Sequence, residues 1–127
     1  LSLLLLTGCA SKIDLGPGYD NLSQNFLQAM RWKDFQGAAS YLKDGDRQKL
    51  LASFDNSEDL HIVDAEYRYS RLHKKEGTAE SQLILKYYLL PSTRVKKWEW
   101  KIDWALIPID AKQRGTWQIQ NAPPTFP

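Results

Sequence analysis

The sequence predicts an α+β domain in which N-terminal helices pack on a four-stranded antiparallel sheet. Apolar residues recur every three to four positions up to Phe54, which is the pattern of amphipathic helices. After Asp55-Asn56-Ser57 the apolar period changes to two, which is typical of half-buried strands. The connections between the later segments are short, and short connections favour strands that run antiparallel.

Three amphipathic helices are predicted before the strands. Asn21, with Gln24 three residues later, can cap the first helix. Asp34 can cap the second, and Asp44-Gly45-Asp46 breaks the chain and offers a cap for the third. The apolar residues at helical spacing are Leu22, Phe26, Leu27 and Met30 in the first helix, Phe35, Ala38, Ala39 and Leu42 in the second, and Leu50, Leu51 and Phe54 in the third.

Each of the four predicted strands has one apolar face. Lys75-Glu76-Gly77 forms a hairpin turn, Pro91-Ser92-Thr93 interrupts the chain, Pro108 ends the third strand, and Arg114-Gly115 turns the chain again. Residues 122–127 form an irregular tail. The predicted inward residues are Val63, Ala65, Tyr67 and Tyr69; Ala79, Ser81, Leu83, Leu85, Tyr87 and Leu89; Trp98, Trp100, Ile102, Trp104 and Leu106; and Trp117 and Ile119. The helices must cover this apolar face.

The chain begins with an apolar run that ends in two small residues and a cysteine. Residues 1–6 are far fewer than the roughly 20 residues of a membrane-spanning helix, and they are typical of the end of a signal peptide. Leu6-Thr7-Gly8-Cys9 resembles the lipobox of bacterial lipoproteins, in which the cysteine thiol takes a diacylglyceryl group and becomes the new N-terminus. The alternative is a cysteine buried in an ordinary strand.

The lipobox resemblance implies more than one acyl chain on Cys9, which gives stable anchoring because each buried methylene contributes about 0.8 kcal/mol. We therefore expect residues 1–8 to be the end of a signal peptide, residues 9–19 to be the acylated cysteine and a tether, and residues 20–127 to be a single α+β domain. Aspartate after the cysteine tends to retain enterobacterial lipoproteins at the inner membrane, but Ala10 stands there. By that analogy we expect an outer-membrane anchor facing the periplasm, if the host is Gram-negative.

Charge and spacing argue against nucleic acid and metal ligands. The 17 Lys+Arg and 15 Asp+Glu give a net charge of +2, and the basic residues are scattered among acidic ones. Cys9 is the only cysteine, so we expect no disulfide in the folded domain. His61 and His73 are twelve residues apart on one predicted strand, and they cannot share a metal within that strand. We predict neither a metal nor a cofactor.

The helical opening at residues 26–39 and the Trp-containing strand Gly115-Thr116-Trp117-Gln118-Ile119 are similar to the nuclear transport factor two-like fold, also called the cystatin-like roll. The resemblance covers most of residues 20–121, and it implies a curved sheet that wraps around a helix to form a cone with an apolar pocket. The chain departs from the fullest family pattern because no short hairpin is found between the second and third helices. The family includes isomerases, dehydratases, transport scaffolds and small domains without known chemistry, so the fold does not choose a function.

Six inward aromatic residues are the candidate pocket lining: Tyr67, Tyr69, Tyr87, Trp98, Trp100 and Trp104. They form either a packed core beneath the helices or a pocket for a lipid or aromatic ligand, with hydroxyl and N–H groups that orient it. Ser81 is the only small polar residue among the inward strand positions, and the carboxylates fall on the other face. We therefore predict no catalytic residues, because an active site of this kind needs a titratable group inside the cone.

Three functional hypotheses follow from the sequence. The first is a non-catalytic envelope lipoprotein, anchored in the membrane by its acyl chains, that binds another envelope protein through the exposed sheet face or the tail. The second is a small-molecule or lipid-binding module that uses the aromatic-lined cone. The third is an isomerase- or hydrolase-like enzyme, which requires a buried carboxylate or histidine. A homodimer through the sheet is common in the resembled fold, and it is a further candidate arrangement.

Overall fold

A computed structural model describes residues 15–55, 57–108 and 115–127, with side chains from Gly18 onward. Within these ranges the elements are α1 (Leu15–Arg31), α2 (Phe35–Ala39), α3 (Asp44–Ser53), β1 (Leu60–His73), β2 (Thr78–Leu89), β3 (Lys96–Pro108) and β4 (Gly115–Ile119). The strands pair antiparallel in the order β1-β2-β3-β4. The predicted α+β class, with N-terminal helices packed on a curved four-stranded antiparallel sheet, is confirmed.

The first helix begins earlier than the sequence predicts. It starts at Leu15 rather than after Asn21, and it includes Gly16-Pro17-Gly18. Proline is tolerated there because the backbone N–H groups of a first turn have no helical acceptor. Tyr19, which we expected at the end of the tether, is 2% exposed, and its hydroxyl lies 2.6 Å from Ser70 Oγ. The helix therefore extends into the segment expected to be the tether, and Tyr19 packs against the sheet.

The N-terminus of α2 has a side-chain cap, whereas that of α3 does not. Asp34 caps α2 as predicted, because its Oδ1 accepts a hydrogen bond from Gly37 N at 2.9 Å. The predicted cap of α3 by the aspartates is wrong, since Asp44 and Asp46 lie inside the first turn and the N-cap residue is Lys43. Carboxylates in a first turn stabilise a helix through its dipole, which accounts for this acidic pattern.

Hydrogen bonds at a hairpin and at one edge fix the sheet. The predicted turn ending at Gly77 is confirmed: its N–H donates to Lys74 O at 3.2 Å, and its φ of 65° is one that glycine adopts without strain. At the other edge, Ile119 N donates to Tyr41 O at 2.7 Å, and Lys43 N donates to Ile119 O at 3.2 Å. The segment after α2 thus covers the edge of β4.

Two irregularities in β1 change which side chains face inward. The pairing with β2 shifts between Ile62 and Asp64, and again between Tyr67 and Tyr69. A bulge inserts one extra residue, so the side chains that follow it change face relative to strict alternation. The predicted inward positions of Val63 and Tyr69 are therefore wrong: Val63 is 53% exposed, and Tyr69 lies on the outer face of the sheet.

The other strands follow the predicted alternation closely. In β3, four alternate residues are each 5% exposed or less: Trp98, Trp100, Ile102 and Trp104. The charged residues between them, Glu99, Lys101 and Asp103, are exposed. The helices and the residues that directly follow α2 and α3 complete the core from the other side, with Phe26, Leu27, Met30, Ala38, Ala39, Leu42, Leu50 and Phe54. Of the predicted turn at Arg114-Gly115, Gly115 begins β4 and Arg114 lies outside the described residues.

Candidate functional site

The candidate lipidation residue Cys9, with the whole motif Leu6-Thr7-Gly8-Cys9, lies outside the described residues. Only residues 10–14 separate the cysteine from the start of α1 at Leu15. Six residue steps span at most about 21 Å when fully extended. An anchor on Cys9 would therefore keep the start of α1 within about that distance of the acyl chains. Within the described part of the chain, no helix has the length and apolar character needed to cross a membrane.

Four of the six candidate pocket residues lie in the packed core. Tyr87, Trp98, Trp100 and Trp104 are each 5% exposed or less. Phe26 of α1 makes edge-on ring contacts with Trp100 and Trp104, at centroid distances of 5.9 Å and 5.8 Å. These contacts fill the inner face of β3 with aromatic rings, so at these positions the structure fits the packed-core alternative.

The indole N–H groups of the three β3 tryptophans have different surroundings. Trp104 Nε1 donates to Ser81 Oγ at 3.1 Å, and both residues are buried. The single polar inward position of β2 is therefore a partner for this indole. Within the described ranges, Nε1 of Trp98 and Nε1 of Trp100 are buried without a hydrogen-bond partner. An unsatisfied buried donor costs roughly 1–3 kcal/mol, so these two groups are unusual in a packed core.

The two remaining candidates are separated by the sheet. Tyr67 faces inward, and its hydroxyl donates to Ser23 O at 2.6 Å. Burial raises the pKa of Tyr67 well above its ordinary value. Tyr69 pairs with Gln82 on the outer face, and the guanidinium carbon of Arg71 lies 4.6 Å from the centre of its ring. The structure therefore does not bring Tyr69 together with the other five residues.

The outer face of the sheet carries ion pairs of both signs. The pairs are Arg68–Glu99 at 3.4 Å, Arg71–Glu80 at 3.3 Å and Lys86–Glu66 at 3.6 Å. Ile84, an outer-face residue paired with Glu66 and Glu99, is only 3% exposed. Because these six charges pair with one another, they provide little attraction for a partner of either sign.

A groove at the junction of α1 and β1 exposes two large apolar side chains. Trp32 is 76% exposed and Val63 is 53% exposed. The groove has a volume of about 560 Å³ and is lined by Arg31, Trp32, Lys33, Leu60, His61, Ile62, Val63 and Tyr88. The rings of His61 and Tyr88 stack along one wall, with centroids 4.9 Å apart and an interplanar angle of 7°. We call this surface the Trp32 groove.

Hydrogen bonds at the end of α1 hold the groove in shape. Lys33 has a φ of 61°, so the chain turns sharply away from the helix at this residue. Lys33 Nζ donates to Ser57 O and to Leu60 O, at 2.8 Å each, which joins the end of α1 to the start of β1. Trp32 Nε1 donates to Gln28 Oε1 at 3.1 Å, which orients the exposed indole. The groove thus combines an exposed, hydrogen-bonded tryptophan with a junction that Lys33 links by hydrogen bonds.

Sequence reasoning missed the Trp32 groove. Trp32 lies two positions after Met30, about 200° around a helix, and therefore falls outside the apolar face. A tryptophan on the polar side of a helix, between Arg31 and Lys33, is a signal that was available in the sequence. Val63 gave no such signal, because the alternating pattern places it inward and only the bulge exposes it.

The two histidines lie far apart along β1. His61 is in the Trp32 groove, and His73 Nε2 lies 3.8 Å from Glu80 Oε1 near the other end of the strand. Among the residues that the structure describes, no group of three or more His, Cys, Asp or Glu is arranged to hold a metal ion.

Comparisons with known proteins bear on the fold. No family model matches the chain, and no curated protein matches it. Among solved structures, the chain is similar to a SEC-C motif-containing protein from Psychrobacter arcticus, with a TM-score of 0.62 and 9% sequence identity. The match covers 86% of this chain and 60% of that protein's chain. At this level of identity the similarity shows a shared fold alone.

Proposed function

We propose that this chain is a bacterial envelope lipoprotein whose domain binds a partner protein at the membrane surface without catalysing a reaction. The single observation that carries the proposal is Leu6-Thr7-Gly8-Cys9 directly after an apolar run, a pattern that resembles a signal peptide with its lipobox. The acyl chains on Cys9 insert into the membrane and hold the domain at its surface. If the host is Gram-negative, Ala10 after the cysteine favours, by analogy with enterobacterial lipoproteins, an anchor in the outer membrane that faces the periplasm.

The position of the Trp32 groove supports a role in binding. α1 has 17 residues, so its two ends are about 25 Å apart. The anchor attaches near the start of this helix, whereas Trp32 follows its last residue. The groove therefore lies at the end of α1 that is distant from the tether, where a partner in the periplasm can reach it.

The chemistry of the Trp32 groove suits a protein partner. Exposed tryptophan is enriched among the residues that contribute most to protein interfaces, because it brings a large apolar area and one N–H group. Val63 extends the apolar surface, and Lys33, whose ammonium group contacts only neutral carbonyls, provides positive charge at its side. The partner we expect has an apolar side chain for the indole and a carboxylate for Lys33.

Site-specific photo-cross-linking in the native envelope tests this proposal. A photoreactive phenylalanine analogue at His61, inside the groove, should give one discrete cross-linked product. The substitution Trp32→Ala in the same chain should reduce that product about tenfold or more, because loss of an interface anchor costs about 2 kcal/mol or more. The same analogue at Val95, which is 52% exposed in the loop before β3, is the matched control and should give no discrete product.

A Cys9→Ser variant separates the anchor from the binding surface. It should lack the acyl mass, while the Trp32 groove stays intact. Equal cross-linking at both positions, or a product unaffected by Trp32→Ala, would argue against the groove. A product with the mass of two copies of this chain would show that the groove binds a second copy of the chain and not a different protein. An unmodified sulfur on Cys9 in the native protein would remove the anchor and the proposed location.

A further inference from the structure

Phe126, in the irregular C-terminal segment, closes one end of the aromatic core. Its ring lies 4.6 Å from Phe54, 4.8 Å from Tyr87 and 5.8 Å from Trp98, measured between centroids. Phe126 belongs to no helix or strand, since β4 ends at Ile119 and the residues around Phe126 are irregular. The side chain therefore contacts the core without being held by a backbone ladder, unlike the core rings on the strands.

A cavity lies beside this ring, and one of the rings that Phe126 contacts carries an unsatisfied donor. A cavity of about 200 Å³ is lined by Phe126 and Pro127 on one side and by Phe54, Leu60 and Leu89 among others. Trp98, whose ring Phe126 contacts, is 5% exposed, and within the described residues its Nε1 has no acceptor. The ring centroid of Trp100 lies 5.9 Å from that of Trp98. Trp100 is 1% exposed, and within the described residues its Nε1 also has no acceptor.

We propose that Phe126 is a displaceable plug in a binding site for a neutral, flat apolar molecule that carries a carbonyl oxygen. The ligand body takes the place of the Phe126 ring against Phe54, Tyr87 and Trp98. Its carbonyl accepts the N–H of Trp98, so that a donor left unsatisfied in the closed form becomes paired. The void together with the space of one benzyl group reaches about 300 Å³, the lower end of the range for small-molecule sites.

The groups at this site disfavour an anionic ligand. The indole N–H of Trp98 is uncharged, the residues that contact the Phe126 ring are aromatic, and Asp55, which lines the cavity, repels an anion. A buried carboxylate needs a charged or multiple-donor partner, so burial against these rings would cost it far more than a ketone or ester. The site is distinct from the Trp32 groove, with which it shares only Leu60.

Three naphthalene derivatives of matched size test the proposal by NMR titration of the full chain with ¹⁵N-labelled indoles. Acetylnaphthalene has the carbonyl, ethylnaphthalene lacks it, and naphthoate is charged. Phe126→Ala should bind acetylnaphthalene at least about tenfold more tightly than the unsubstituted chain, because no ring has to be displaced. The indole signal of Trp98 should move with acetylnaphthalene and much less with ethylnaphthalene, and naphthoate should bind most weakly.

Two further variants keep the test decisive. Phe126→Leu removes the ring and keeps an apolar side chain, so it should also gain affinity if Phe126→Ala does not fold. Trp98→Phe, combined with either variant, should lower the affinity for acetylnaphthalene about threefold to tenfold and leave that for ethylnaphthalene unchanged. The proposal fails if the folded Phe126 variants bind no more tightly than the unsubstituted chain, or if the Trp98 indole signal does not respond to the carbonyl. Trp32→Ala should leave all of these affinities unchanged, which separates this site from the proposed function.

Discussion

Lys33 occupies a backbone position that glycine fills most easily. Its φ is 61°, and the turn after α1 closes with hydrogen bonds of 3.2 Å and 2.8 Å to the carbonyls of Met30 and Ala29, as at many helix ends. A side chain in this left-handed region costs about 1–2 kcal/mol. The lysine offsets that cost because Nζ donates to two carbonyls, those of Ser57 and Leu60.

Two substitutions at Lys33 separate the strain from the hydrogen bonds. Lys33→Ala removes both Nζ bonds and keeps the strained backbone, so we expect a loss of about 2–3 kcal/mol in the free energy of unfolding. Lys33→Gly removes the same bonds and relieves the strain, so it should be more stable than the alanine variant by about 0.5–1 kcal/mol. Urea-induced unfolding measures both values. An alanine variant as stable as the glycine variant would contradict this account.

At the scale of elements, the exposed edge of β1 is partly closed by side chains. Ala65 N donates to Asp64 Oδ1 at 2.9 Å, and the Arg31 guanidinium donates to the Ala65 carbonyl. Arg31 and Asp64 also form an ion pair at 3.8 Å. Unpaired N–H and C=O groups on an edge strand attract the strands of other molecules, so these contacts protect the edge at Ala65.

Removal of Arg31 should therefore promote self-association. We expect Arg31→Ala to form oligomers at concentrations where the unsubstituted chain does not, as measured by light scattering after size-exclusion chromatography. Arg47→Ala is the matched control, because Arg47 also bonds a carbonyl, that of Leu42 at 2.9 Å, and pairs with Asp44 at 2.9 Å, but it lies on α3. If both variants associate to the same extent, edge protection is not the role of Arg31.

Helices and strands were predictable from the sequence where a local pattern alone determines the buried face or the end of the element. The alternation of tryptophan with charge in β3 predicts its buried face, and Asp34 predicts the cap of α2. The bulges of β1 were not predictable, because they depend on pairing with β2 and leave the apolar pattern at Val63 and Tyr69 unchanged. The start of α1 was missed because glycine and proline suggested a tether, although a first turn tolerates both.

The candidate sites were harder to predict from the sequence than the fold, because they depend on contacts between distant parts of the chain. The Trp32 groove combines the residues after α1 with a bulge in β1, some thirty positions later in the chain. Contacts between such distant residues leave no local pattern in a single sequence. The aromatic set was predicted as a face, but only packing separates the paired indole of Trp104 from the unpaired indoles of Trp98 and Trp100.

At the scale of the whole molecule, buried tyrosines make stability depend on alkaline pH. Burial raises the pKa of Tyr19, Tyr67 and Tyr87 above the ordinary value of 10.0. Below pH 10 these hydroxyls are protonated in both the folded and the unfolded chain, so their contribution is fully present. As the pH rises above about 10, the unfolded chain loses these protons first, and the free energy of unfolding falls by up to about 1.4 kcal/mol per pH unit for each tyrosine.

Tyr67→Phe tests this dependence on pH. Near neutral pH the variant should be less stable by about 1 kcal/mol, because it loses the hydrogen bond to Ser23 O. Above about pH 10 its stability should fall less steeply than that of the unsubstituted chain, since one titrating group is absent, and the two curves should converge and then cross. Urea-induced unfolding at a series of pH values between about 7 and 11.5 measures both slopes. Parallel curves above pH 10 would mean that Tyr67 titrates alike in the folded and unfolded chains, and that its hydroxyl is less buried than its contact with Ser23 requires.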